Sequence, residues 1–160
     1  MPLESCVICL DNSEWMRNSD YSPTRISAQY DLVSMLVSAK LRDNPESTVG
    51  LLTTAGNNGV DVLASPTLDQ GKLLSALHGI RLSGACKLTA GVQVAMLALK
   101  HRQNKKGSQR VLLIVGSPVQ NEEKQLVKIG KQLKKNNVAL DVIMMGENET
   151  NNDKVSFFFG

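Results

Sequence analysis

The apolar residues of this chain fall into two kinds of pattern. Residues 6–10, Cys-Val-Ile-Cys-Leu, are apolar without a break. That suits a short strand buried on both faces in the middle of a parallel sheet. Residues 110–115 repeat the pattern and predict a second central strand, and residues 138–144 predict a last one. Between these runs the apolar spacing changes to three and four. Ile26, Tyr30, Val33, Met35, Leu36, Val37 and Leu41 predict a helix over 24–42 with a wide apolar face. Ser22 is the expected N-cap, with Pro23 in the first helical position.

Residues 48–54 are β-branched and apolar, and residues 60–64 form a shorter run after Gly56-Asn57-Asn58-Gly59. An Asn-Gly between two such runs predicts a hairpin, hence antiparallel neighbours with the short strand at the sheet edge. Thr67-Leu68-Asp69-Gln70 has the form of a capping box, opening a helix that carries Leu73, Leu74 and Leu77. Residues 80–88 read as a loop. Thr89 opens the next helix, with Val92, Met96 and Leu99 on one face and Lys100-His101-Arg102 at its close. A further helix over 121–135 has Glu122 and Glu123 at its start and Lys131, Lys134 and Lys135 at its end, the order the helix dipole favours. Strands alternate with helices over short connections. The expectation is therefore an α/β fold with a mostly parallel sheet, one antiparallel edge strand, and helices on both faces. Residues 147–154 read as a loop or a frayed helix start, and the Phe157-Phe158-Phe159 tail completes no helix or strand unit.

Composition narrows the function classes. The chain has 160 residues, 42% hydrophobic and 21% charged, which fits one domain with its own core. A net charge of +3 and an aromatic content of 4% supply neither a strong basic patch nor a stacking platform, so no nucleic-acid partner is expected. No apolar run approaches the roughly 20 residues that span a bilayer, and the start lacks the pattern of a signal peptide. Three cysteines, an odd number, argue against a disulfide framework and for a reducing compartment, cytoplasmic or nuclear. Cys6 and Cys9 form a C-x-x-C, but a spacing of three puts them on opposite faces of a strand.

The first run stops at Asp11-Asn12-Ser13. Oxygen-bearing side chains at the carboxyl end of a central strand stand where open α/β sheets place binding sites. Asp-x-Ser is equally the pattern of an Asx-turn, which would make Asp11 a loop cap. Other chemistry finds little support. No phosphate-binding G-x-x-x-x-G-K-[ST] and no G-x-S-x-G occurs. His78 and His101 stand near helix ends without an evident partner, so no enzyme is expected and no cofactor. The basic run Lys100 to Lys106 is either a solvated helix end or a contact for RNA or an acidic protein surface.

Asp-x-Ser after a buried first strand, a helix starting at Thr89 and a buried strand ending at 115 together resemble a von Willebrand factor type A domain. In that family D-x-S-x-S, a later threonine and a late aspartate hold a divalent cation. Asp11 and Ser13 match the first two positions and Thr89 the threonine. Trp15 replaces the second serine, and Gly116-Ser117 stands where the late aspartate would be. Mg²⁺ wants about six hard oxygen ligands, so the resemblance implies a degenerate site, and no metal is expected. The alternative it leaves open is an A domain in which Asp11, Ser13 and Thr89 present Mg²⁺ to a partner's carboxylate.

Longer strings are more specific. Asp11-Asn12-Ser13-Glu14-Trp15-Met16-Arg17-Asn18, Thr48-Val49-Gly50-Leu51, Leu97-Ala98-Leu99-Lys100-His101-Arg102-Gln103-Asn104-Lys105 and Gly116-Ser117-Pro118-Val119 resemble the N-terminal A domain of the multiubiquitin-receptor subunits of the proteasome regulatory particle. The Trp15 form is closest to plant versions. The resemblance covers residues 1–147 and leaves 148–160 as a divergent or truncated tail, where the family would have another helix and strand. It implies a non-enzymatic domain that docks onto proteasome lid and base subunits and strengthens their association. Ubiquitin chains would be bound through separate helices absent from this chain. Asp11 is the first choice for an interface residue, with Asn12, Ser13, Glu14, Trp15 and Arg17 beside it. Lys100, His101 and Arg102 form a second candidate surface. The physical alternative is that Asp11 shapes its loop and acts on docking indirectly.

Overall fold

The computed structural model describes residues 3–20, 24–55, 59–102, 105–119, 121–146 and 148–159. The elements are β1 (Glu4–Leu10), α1 (Arg25–Asp43), β2 (Thr48–Thr53), β3 (Asp61–Thr67), α2 (Gln70–His78), α3 (Leu88–Lys100), β4 (Ser108–Val115), α4 (Glu123–Lys135), β5 (Val138–Met144) and α5 (Asn148–Ser156), with 3-10 turns at Glu14–Arg17 and Phe157–Phe159. The sheet order is β3-β2-β1-β4-β5. The strand carrying the first apolar run therefore lies at the centre. It pairs in parallel with β2 and β4, β5 is parallel to β4, and β3 is antiparallel to β2 at one edge.

Alternation along β1 sorts the core into two layers. Cys6, Ile8 and Leu10 face α1 and α2, packing with Val33, Val37, Leu73 and Leu77. Val7 and Cys9 face α3 and α4, packing with Val92, Leu99, Leu126 and Ile129. The two cysteines thus lie on opposite faces of the sheet, and both are buried.

Several boundaries differ from expectation. The N-cap of α1 is Thr24, whose side chain accepts from Ser27 N, and Ser22 and Pro23 lie outside the described residues, as do Gly56, Asn57 and Asn58 of the hairpin turn. β3 runs on to Thr67, which pairs with Val49. Pro66 is accommodated there because an edge strand can spare an N–H and the ladder shifts register nearby. With Thr67 held in the sheet, the cap of α2 passes to Asp69, which accepts from Lys72 N at 3.1 Å.

The tail departs most. Residues 147–154 read as a loop or a frayed helix start; a helix, α5, forms from 148 to 156, and Phe158 inserts into the α3–α4 layer at 2% exposure. Gly130 on α4 makes this possible, because a Cβ there would collide with the Phe158 backbone. Val155 and Phe158, three residues apart, are both buried, and that apolar pair pulls the end of the chain onto α4.

Candidate functional site

The carboxyl ends of β1, β2 and β4 converge where the short oxygen-bearing residues were expected. Asp11 is fully buried. Its Oδ1 accepts from Ser13 N at 2.9 Å, the Asx-turn geometry. Its Oδ2 accepts from Gly116 N at 2.9 Å and from Ser117 Oγ at 2.8 Å. Hydrogen bonds to an ionised carboxylate are among the stronger ones available to a protein, so the β1 end is fastened to the β4 end by charge. The main chain of Asp11 is held as well: Gln29 accepts from its N–H at 2.9 Å and donates to its C=O at 3.0 Å. Asn12 accepts from Ala55 N at 2.8 Å and donates to Arg81 O at 3.1 Å, tying in the end of β2 and the loop after α2.

Beyond Ser13 the chain makes a 3-10 turn. Met16 is fully buried against Gly116, where any side chain would strike its Sδ. That anchor turns Glu14, Trp15 and Arg17 outward. Trp15 is 47% exposed, and Glu14 and Arg17 pair with each other across the turn. The six residues expected to act together therefore divide by role. Asp11, Asn12 and Ser13 are buried and shape the loop; Glu14, Trp15 and Arg17 are the ones that can meet a partner. Asp11, the first choice for direct contact, cannot touch one from its buried position.

The donor set does not fit a divalent cation. Both carboxylate oxygens of Asp11 already face N–H or O–H hydrogens, three in all. The Thr89 hydroxyl accepts from Asn121 Nδ2 at 3.3 Å. Ser13 Oγ is the one member of the trio that is buried without a partner among the described residues. One carboxylate ringed by donors leaves nothing like the oxygen shell that Mg²⁺ requires. Nearby, the Cys86 thiol is pushed up to about 12, chiefly by burial and further by the negative charge of Asp11, against hydrogen bonds with Thr54 and Ser117.

Lys100 and His101 are exposed at the end of α3. Arg102 turns inward, donating to Leu99 O at 2.7 Å and to Gln109 Oε1 at 3.1 Å. α3 begins beside the end of β2, where Lys87 N donates to Thr54 O, and it closes near the start of β4. This basic group and the Trp15 turn are thus at opposite ends of the sheet.

Three site residues went unpredicted. Gln29 and Arg25 are on α1, and Asn151 on α5 accepts from Val119 N and donates to Ser117 O, both at 2.9 Å. Gln29 did leave a signal. It sits three residues after Ile26 and four before Val33, a polar side chain within the apolar stripe. Such a residue needs a buried partner.

The fold and this strand-end site define the class. Residues 6–118 match the von Willebrand factor type A domain model, and the chain belongs to that family. Within it, the chain is similar to proteasome subunits. The chain is 54% identical over 154 residues to a rice 26S proteasome non-ATPase regulatory subunit 4 homolog, covering 96% of this chain and 38% of the relative. It is 50% identical over 147 residues to the 26S proteasome regulatory subunit rpn10 of Schizosaccharomyces pombe, covering 92% of this chain and 60% of that one. The crystal structure of the SpRpn10 VWA domain matches with a TM-score of 0.88 at 44% identity, over 99% of this chain and 82% of the other. The chain thus spans 38% of the length of the plant relatives.

Proposed function

We infer that this chain is a non-enzymatic protein-interaction domain that docks a ubiquitin-receptor subunit into the proteasome regulatory particle and strengthens the association of lid and base. One observation carries the reading. The carboxylate that could have served as acid, base or metal ligand is consumed by the chain's own donors, while the turn beside it holds a tryptophan exposed. Tryptophan and arginine are the side chains that most often anchor interfaces, and Trp15 and Arg17 stand together on this turn. Likeness to regulatory subunits of the 26S proteasome supplies the assembly. Lys100 and His101 form a second contact at the other end of the sheet. Ubiquitin chains are left to other helices of the longer subunit. The domain works where proteasomes do, in cytoplasm and nucleus, and no described helix is long and apolar enough to cross a membrane.

The rival reading, a Mg²⁺-dependent A domain binding a partner's carboxylate through Asp11, Ser13 and Thr89, draws on the partnerless Ser13 Oγ alone. A tagged pull-down from a eukaryotic extract, with and without EDTA, separates the two. Recovery of lid and base subunits in EDTA, reduced by Trp15→Ala with Arg17→Glu, is the expected result. Binding abolished by EDTA would restore the cation reading. A folded chain that recovers no proteasome subunit would refute docking.

A further inference from the structure

Arg25 is the first residue of α1, a position where a positive charge opposes the helix dipole. It is also 2% exposed, and a buried cation is costly unless it is paired and hydrogen-bonded. Its contacts account for both facts. Nε and Nη2 donate to the two carboxylate oxygens of Asp20, each at 2.9 Å, the bidentate geometry that a guanidinium fork provides. Nη1 donates to Gly116 O at 2.6 Å. The Arg25 N–H donates to Asn18 O at 2.8 Å. Gly146, with φ +74°, lies so close that a Cβ there would collide with the guanidinium.

Gly116 is therefore gripped through both of the peptide groups that flank it. Its N–H is held by the buried carboxylate of Asp11 and its C=O by the buried guanidinium of Arg25. One cation thus joins three segments: residues 18–20 after β1, the end of β4, and the turn after β5.

We propose that Arg25 is the resident cation of this site. It bridges Gly116 O, just past β4, to Asp20, and by holding residues 18–20 it fixes the exposed turn that carries Trp15. Arg25 is a positioning residue, since its guanidinium lies inside and touches no partner. A tethered guanidinium cannot be chelated away, so the turn is preformed without any added ion. The proposal deepens the docking reading and rests on it only for the use to which the turn is put.

The chain contains one tryptophan, and it lies on this turn, so acrylamide quenching of Trp15 reads the clamp directly. In the wild-type chain the quenching constant should be the same in EDTA, Mg²⁺ or Mn²⁺. Arg25→Ala should raise it toward the value of free indole, with the circular dichroism of the folded chain retained. Millimolar guanidinium should bring it back down, because the ion can re-enter beside Asp20, whose side chain is 43% exposed. Arg25→Lys should fail to restore shielding, as one ammonium cannot span Gly116 O and both Asp20 oxygens. Should Arg25→Ala not fold, Asp20→Ala, which cuts the clamp at its outer end, must raise quenching in a folded chain. Quenching unchanged in Asp20→Ala, or a wild-type response to EDTA or Mg²⁺, overturns the proposal. The readout lies within one chain, so loss of docking with the clamp intact would refute the proposed function and leave this inference standing.

Discussion

Ser117, just past β4, donates a 2.8 Å hydrogen bond to Asp11, just past β1, although 106 residues separate them. The family resemblance puts an aspartate in this neighbourhood, facing the first one across a cation. Here a hydroxyl and the Gly116 N–H close the gap, so the loop is shaped by hydrogen bonds and not by coordination.

That geometry sets the cost of breaking it. Asp11→Ala strands the Gly116 and Ser13 N–H groups and the Ser117 hydroxyl in a buried site, and each unsatisfied donor costs about 1–3 kcal/mol. A loss of about 3 kcal/mol or more is expected in urea unfolding with an unchanged slope, against about 1–2 kcal/mol for Ser117→Ala. A wild-type midpoint for Asp11→Ala would mean that the carboxylate does not hold the loop.

The tail offers an independent check. Phe158 fills the layer beside Leu126, Ile129 and Leu133, and emptying such a site typically costs about 3–5 kcal/mol. Phe158→Ala should lower thermal and urea stability on that scale. Gly130→Ala should also destabilise, since the Phe158 backbone leaves no room for a methyl group. If both variants unfold like the wild type, the tail does not pack on α4.

Acid should weaken the fold partly through Glu4. Burial alone would raise its carboxyl, but hydrogen bonds from Lys40 at 2.7 Å and Arg110 at 3.1 Å outweigh burial and hold it below the ordinary value. Arg110 also pairs with Asp141, so the ion pairs link β1, α1, β4 and β5. A carboxyl whose folded pKa is depressed binds fewer protons when folded. Its stabilisation is therefore present above the unfolded value, about 4.3, and is lost as pH falls through the folded one. Urea midpoints measured from pH 6 downward should fall less steeply for Glu4→Gln than for the wild type. Equal slopes would remove Glu4 from the account.

Alkali should act through the thiols. Burial pushes Cys6 and Cys86 up to about 12, and Cys9, buried in the centre of β1, is raised further in the same direction. A thiol raised in the folded state favours folding in full below its unfolded pKa, about 8.5, and that contribution is lost as pH climbs above it. Stability should decline from pH 8 to pH 10, and Cys6→Ala with Cys86→Ala should flatten the decline. Iodoacetamide at pH 8.5 should label Cys6 and Cys9 in urea and spare them in native buffer. Rapid native labelling of either would contradict their burial.

Much of the architecture is legible in the sequence. The unbroken run at 6–10 marked the central strand, and the change of spacing after it marked α1. The turn residues at 56–59 marked β2 and β3 as a hairpin. The separation of Cys6 from Cys9 followed from the two-residue repeat of a strand. The Asx-turn at Asp11 was legible too, as one of two readings, because it spans two residues. Helix starts were misplaced where a tertiary contact competed with a local signal, as when the sheet kept Thr67 and passed the cap of α2 to Asp69.

Periodicity and turn chemistry are local information, and the sequence by itself determined what depends on them: strands, helices, the sheet centre and the position of the site at the strand ends. Only the tertiary structure decided how that site is closed. Arg25 meets Gly116 across 91 residues, Asp11 meets Gly116 across 105, and Asn151 meets Ser117 across 34. No spacing encodes such partners, because sheet order brings them together. The tail was unreadable for the same reason: its helix has little apolar periodicity of its own, and what orders it is the notch that Gly130 leaves on another element.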